Sequence, residues 1–291
     1  MRTLEYTVSA QEEGWLLLHI LQRRLCLSHH RISSLKFSGG ILLDGQNAHT
    51  GVRVHAGQRI TVCLRDTGAL LVPYHLPLRV LWQDEDVLVV DKPAPLPAIS
   101  SAHQDKLTLG NAVYAHLGCP EGFVYRPVSR LDKGTSGLMP IAMNAYAHDR
   151  MQRMLHSERH ERMYLAVTEG APPRDSGVID LPLGRAAGVK RCIDPCGKPA
   201  RTYYTVLRRA DNGRTLIRLR LETGRTHQIR VHMQALGCPI VGDYLYGKAL
   251  ESLPGRFALH ASQLAFLHPV TGAMLRFESP LPPEIEELLK E

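Results

Sequence analysis

From Arg79 onward the chain is written in short apolar runs, and their order is the strongest constraint on what it can fold into. Val80-Leu81-Trp82, Val87–Val90, Tyr164–Val167, Tyr203–Val206 and Leu216–Leu221 each have the length and residue types of a strand. Helical spacing fits only 107–117, 144–157 and 226–236, with a last short helix over Glu284–Lys290. Strands therefore follow one another without a helix between each pair. That excludes a doubly wound parallel sheet and leaves a mixed α+β domain.

A second, smaller unit precedes it. Leu16, Leu17, Ile20, Leu21 and Leu25 recur at helical spacing, Ile32 and Leu35 mark another short helix, and Ile41-Leu42-Leu43 runs into the hairpin signal Asp44-Gly45. Residues 14–63 are too few to bury a large core, which suits an appended module. The division expected is a small domain over 1–63, a linker over 64–79 punctuated by Asp66-Thr67-Gly68, Pro73 and Pro77, and a large domain over 80–291.

With 44% apolar and 22% charged residues in 291, the chain is neither disordered nor collagen-like. Its 35 Lys and Arg against 28 acids leave a formal +7, which favours a polyanionic partner without specifying one. The N-terminus lacks the apolar core of a signal peptide, and no apolar run approaches the roughly 20 residues that span a bilayer. Six scattered cysteines fit reduced thiols in a cytoplasmic protein. Cys192 and Cys196 lie close together, but no second ligand pair answers them as zinc would need.

Three stretches can carry chemistry. In Arg130-Leu131-Asp132-Lys133-Gly134-Thr135-Ser136-Gly137 an acid sits within a Gly-, Ser- and Thr-rich turn before an apolar run, an arrangement that favours the ionised carboxylate or simply makes an Asx turn. Thr223-Gly224-Arg225-Thr226-His227-Gln228-Ile229-Arg230-Val231-His232 is dense in cations, and as a helix would line up Arg225, Gln228 and His232; a solvated basic face is the alternative. Arg162-Met163-Tyr164-Leu165-Ala166-Val167 places a phenol on a strand, where core packing is the ordinary reason.

Together, and in this order, these stretches resemble the RluA family of pseudouridine synthases. Asp91-Lys92-Pro93, Gly197-Lys198-Pro199-Ala200, Gly237-x-Pro239-Ile240-x-Gly242-Asp243, Leu259-His260-Ala261 and His268-Pro269 extend the resemblance from about Val80 to Pro282. More loosely, 14–63 is similar to the small RNA-binding domain of the S-four type that often precedes this catalytic domain. The resemblance implies the pseudouridine synthase fold, an α+β class with a mixed, mainly antiparallel sheet. It implies an RNA partner, ribosomal or transfer RNA, with the appended small domain favouring structured ribosomal RNA, and neither cofactor nor metal, since the reaction only moves the uracil from an N1 to a C5 bond with the sugar. A chain acting as a monomer in the cytoplasm, without a membrane, completes the expectation. The absence of a P-loop or dinucleotide fingerprint agrees with it.

By the same resemblance Asp132 is the catalytic aspartate, Arg230 its partner, and Tyr164 the ring that packs on the uracil and takes a proton. A phenol is a poor base at pH 7 unless its environment tunes it. Arg130 would fill the gap left by the flipped base, with Arg126, Lys133, Arg225, His227 and Gln228 as further RNA contacts. Three departures stand out: Ser129 where His or Asn is common, Pro95 where glycine is usual, and Pro140, which implies an edge or bulge at Met139–Pro140. An RNA-binding protein with a decayed site would not keep Asp132, Tyr164 and Arg230 intact. An aspartic protease is a poorer fit still, because Asp66-Thr67-Gly68 and Asp175-Ser176-Gly177 follow Arg65 and Arg174 instead of apolar residues.

Overall fold

A computed structural model describes residues 2–27, 29–64, 71–100, 107–155, 157 and 159–290. The small unit holds β1 (Arg2–Thr7), α1 (Leu17–Arg23), α2 (His29–Phe37), β2 (Ile41–Leu43), β3 (Gln46–Asn47) and β4 (Arg59–Leu64). Its antiparallel sheet runs β1-β4-β2-β3. The alternation of β4 turns Ile60, Val62 and Leu64 inward, onto Leu17, Ile20 and Leu21 of α1 and Ile32 and Leu35 of α2. Asp44 and Gly45 both take positive φ, 50° and 82°, as a two-residue hairpin turn requires. β1 lies outside the sequence reading of 14–63, because its mixed charges hide a strand that needs only Leu4 buried. Tyr146 joins this small core from the large unit.

Residues 71–79 are not a free linker. Asn111 Nδ2 donates to Val72 O at 2.8 Å, Tyr74 N donates to Asn111 O, and Tyr74, Leu76 and Leu78 pack on the large core.

The large unit continues with β5 (Arg79–Gln83), β6 (Val87–Lys92), α3 (Leu109–His116), β7 (Ser136–Ala142), α4 (Ala145–Met154), β8 (His160–Glu169), β9 (Ser176–Asp180), β10 (Leu183–Arg185), β11 (Arg191–Ile193), β12 (Arg201–Arg209), β13 (Arg214–Leu221), α5 (Gln228–Ala235), β14 (Leu259–Leu267), β15 (Met274–Glu278) and α6 (Pro283–Glu286). Its main sheet runs β5-β6-β7-β14-β8-β13-β12-β9, with β15 on β14; every pairing is antiparallel except β7 with β14. The class is the α+β one expected. Leu88 and Val90 face the main core while Val87 and Val89 face a second cluster under α4, so β6 is buried on both sides and reads as an unbroken apolar run. At the other end β12 and β13 are covered on one side only, and their sequence alternates accordingly.

β14 forks the sheet. His260 and Ala261 pair with Ser136 and Gly137 of β7, whereas Gln263–Leu267 pair with β15. The fork explains Pro140. Of the edge or bulge expected there, no bulge is present, since Pro140 stands in continuous register opposite Val89; on its other side the β14 ladder has ended at Gly137. Its carbonyl accepts from Val128 N, and its missing N–H would point the same way, toward a side that β14 has already left.

Two glycines of the Asp132 loop answer to close approach. A Cβ on Gly134 would stand 2.6 Å from the Phe257 ring, and one on Gly137, at φ +113°, 2.3 Å from Ala261 O. Among the described residues no helix is long and apolar enough to cross a membrane.

Candidate active site

A pocket of about 230 Å³ opens where the loop before β7, the first residues of β8 and the turn into α5 meet. Asp132 stands in its wall, about three-quarters buried, on a loop tied down by Leu96 N to Lys133 O and Phe257 N to Gly134 O. Lys92, wholly buried, donates to Pro93 O, Leu96 O and Lys133 O at 3.0, 2.7 and 3.4 Å, so all three ammonium protons hold carbonyls of the two segments beneath Asp132. Burial pulls its pKa down to about 7, against the attraction of Asp132 and Asp91. Since the unfolded amine keeps its ordinary 10.5, the unfolded chain binds the extra proton between those two values. Stability should therefore rise with pH above about 7, by at most about 1.4 kcal/mol per unit. Thermal melts of wild type and Lys92→Met from pH 6.5 to 9.5 check this: the Tm of wild type minus that of the variant should rise with pH, and a fall would mean that the sign is wrong.

Arg230 is almost entirely buried on α5, and its fork is fully committed. Nε and Nη2 donate to Asp243 Oδ2 and Oδ1 at 2.7 and 2.8 Å, leaving Nη1 to reach Asp132 Oδ2 at 3.3 Å. Its plane lies over Phe257, 4.2 Å from the ring centre. Burial alone would lower its pKa, but the bonds and charges of Asp243 and Asp132 outweigh that and raise it. Asp243 Oδ1 also accepts from Leu245 N and Tyr246 N, which makes it the fixed point of the network.

His227 takes the left-handed conformation, φ 58°, at the start of α5. Its Nδ1 meets Tyr246 Oη at 2.8 Å and its Nε2 lies 4.0 Å from Asp132 Oδ2. Burial lowers its pKa against the pull of Asp132, so the ring is neutral at pH 7. Because Tyr246 Oη already accepts from Arg191 N, its proton is free for Nδ1, which leaves the imidazole N–H on the side facing Asp132.

Tyr164 lines the pocket, and burial raises its pKa, with Arg162 opposing and the Asp132 charge adding to the shift. The tuning that a base would require runs the other way: the resting phenol is protonated.

The residues expected to meet RNA lie in different settings. Arg130 is exposed at the rim, Nη2 donating to Thr226 Oγ1 at 2.8 Å, and Lys133 is exposed beside Asp132. Arg225 is not on the helix, which starts at Gln228; its Nε donates to Pro199 O. Gln228 is buried. Its Oε1 accepts from Thr223 Oγ1 and Arg225 N and its Nε2 donates to Arg201 O and Thr202 Oγ1, so the carboxamide is saturated within the fold and braces the turn. His232, likewise buried, bonds Thr202 Oγ1 and Leu181 O, so the second stretch is no solvated basic face. Arg126 runs beside β7 outside the pocket lining, donating to Val124 O.

Other candidates lie elsewhere. Asp175 is exposed and paired with Arg209, and Asp66 lies outside the described residues. Cys192 and Cys196 are free thiols. The one group of three possible metal ligands among the described residues, Asp84, Asp86 and His268, contains neither of them.

The model of the RNA pseudouridylate synthase family matches residues 86–235, just over half the chain and all three of Asp132, Tyr164 and Arg230. The chain belongs to that family. It is 38% identical over 282 residues to "Ribosomal large subunit pseudouridine synthase D" of Xanthomonas campestris, covering 90% of this chain and 84% of that one. It is 37% identical over 259 residues to the uncharacterized RNA pseudouridine synthase YlyB of Bacillus subtilis, covering 87% and 85%. Among solved structures it is similar to human RNA Pseudouridylate Synthase Domain Containing 1, with a TM-score of 0.58 and 28% identity over 74% of this chain and 86% of that one. The enzyme is thus an RNA pseudouridine synthase. Asp243 and Tyr246, which hold Arg230 and His227 in place, lie beyond the matched segment. The sequence signal for Asp243 was the Gly242-Asp243 motif, to which no role attaches without the bidentate contact, and Tyr246 had none.

Proposed function

We propose that the synthase works on structured RNA, ribosomal RNA in preference to transfer RNA, by flipping the target uridine into the pocket for attack by Asp132. The observation that carries this reading is the Asp132–Arg230 contact at 3.3 Å in the wall of the pocket, with Arg230 fixed by Asp243. Asp132 forms a bond to the sugar C1′ as the C1′–N1 bond breaks. The released uracil turns, its C5 takes over C1′, the carboxylate leaves, and the proton lost from C5 is balanced by the one gained at N1. No atom or electron is added or lost. Tyr164 packs on the base. To take the C5 proton after the C5–C1′ bond has formed, it must first give up its own proton, which burial chiefly and the Asp132 charge hold in place in the resting site.

Arg130, at the rim, is placed to occupy the gap left by the flipped base, with Lys133 on the same loop and Arg225 on the opposite turn as cationic neighbours of the strand. The small unit is read as an S-four-type RNA-binding domain. Arg23 and Arg24 lie 5.7 and 5.6 Å from the Trp15 ring centre, joining cations and an aromatic on one patch. The ribosomal preference rests on that unit and on relatives named for the large ribosomal subunit. A monomer acting in the cytoplasm, which the free thiols suit, completes the reading. Pseudouridine mapping of total RNA with and without the gene tests the reading. Sites lost from ribosomal RNA support it, sites lost only from transfer RNA overturn the preference, and no lost site overturns the function.

A further inference from the structure

Among the described residues, Arg162 is the one basic residue lining the pocket for which the fold supplies no partner. It opens β8 opposite Leu264 of β14, two residues before Tyr164 and on the same face of the strand. Its residue surface is 92% buried, since only 8% remains exposed. Nε is buried without a hydrogen bond, and no hydrogen bond or ion pair engages the rest of the guanidinium among the described residues. The other lining arginines differ: Arg230 is held by Asp243 and Asp132, Arg225 donates to Pro199 O, and Arg130 is exposed and bonded to Thr226. Asp132, the one acid among the described lining residues, is committed to Arg230 and makes no ion pair with Arg162.

A buried charge without a counter-charge is costly, and a fold keeps one where a ligand supplies the missing anion. The local construction leaves room for that anion. Nη1 and Nη2 face Gly224 across the pocket mouth, where even a Cβ would stand 3.2 Å from Nη1. A side chain at 224 would therefore crowd the guanidinium. Along the strand Arg162 lies two residues from Tyr164, about 6.6 Å at the usual strand rise. That spacing matches the reach from a base on Tyr164 to the phosphate of the same nucleotide, and a planar fork is the group best shaped to take two phosphate oxygens.

We propose that Arg162 is a phosphate-binding residue of the pocket, gripping the phosphodiester next to the target uridine once the nucleotide has flipped. This rests on the proposed function, and it adds a reason for flipping to be retained: the RNA satisfies a charge for which the described residues supply no partner.

The test pairs a protein change with an RNA change. A short RNA carrying the mapped uridine is made with either ordinary phosphodiesters or a neutral methylphosphonate at the linkage 5′ or 3′ of that uridine. Pseudouridine formation is followed under single turnover against enzyme concentration. Wild type acting on the ordinary RNA verifies the function itself; no product there would sink the function and not merely this residue's role. For wild type, one of the two methylphosphonates should weaken half-saturation by about 10- to 100-fold, the range of a charge-assisted bond. Arg162→Met should weaken the ordinary RNA by a similar factor and show no further loss with that methylphosphonate, while Arg162→Lys should recover part of the binding. Equal methylphosphonate losses in wild type and Arg162→Met would overturn the assignment. So would a loss confined to the maximal rate and identical for all three RNAs, which would place the guanidinium on the uracil. Should Arg162→Met fail to fold, indifference of wild type and Arg162→Lys to both methylphosphonates would overturn it equally.

Discussion

Asp132→Asn is expected to lower the single-turnover rate of pseudouridine formation by at least about 10⁴-fold, the scale on which loss of a nucleophile is felt, while RNA affinity and thermal stability stay near wild type. The substitution keeps the volume and one acceptor for Arg230 Nη1, and Arg230 retains both bonds to Asp243, so no buried charge is stranded. Affinity should not fall either, because a negative charge is being removed from a site that receives a polyanion. Filter binding, melting curves and a single-turnover assay on one preparation separate the three quantities. A rate within ten-fold of wild type would mean that Asp132 is not the attacking group. Weakened binding with an unchanged rate would make it an RNA contact instead.

How much of this was legible in the sequence depended on whether a signal was local. Val87–Val90 reads as a buried strand because both of its faces are covered, and Asp44-Gly45 reads as a hairpin because only a few residue types tolerate two successive positive φ angles. Asp132 and Arg230 were recognisable from the stretches that hold them, and the structure brings them together across 98 residues. What was not legible depended on partners far along the chain. Gln228 looks like a polar contact until Thr202, Thr223 and the Arg201 carbonyl surround it. Arg225 falls on the helical period of its neighbours, but the left-handed turn at His227 ends that period before the helix begins. Pro140 reads as a ladder breaker because local sequence cannot show that β14 has left its side of the strand. Arg162 differs again: its meaning lies in a partner the fold omits, which no pattern of neighbouring letters records.

Asp243 gives the second large effect, and it separates stability from chemistry. Asp243→Ala removes both bonds that fix Arg230 and leaves a guanidinium almost wholly buried with only the 3.3 Å contact to Asp132. Breaking one side of a buried ion pair in this way costs about 3–5 kcal/mol. In a chain of this size that is a fall in Tm of about 6–15 °C. The chemical step should slow by at least about 10²-fold, because Nη1 no longer has a fixed origin from which to reach Asp132. Asp243→Asn should be milder, keeping one acceptor for the fork while turning an amide toward the other donor. The double change Asp243→Leu with Arg230→Met decides what the pair is for. An apolar replacement of a buried pair is often neutral or stabilising, so Tm should return to within a few degrees of wild type. Activity should not return, since Asp132 then faces no guanidinium. Recovery of both would mean that the pair serves packing alone, and recovery of neither would mean that Asp243 is needed chiefly for the turn it holds through Leu245 N and Tyr246 N.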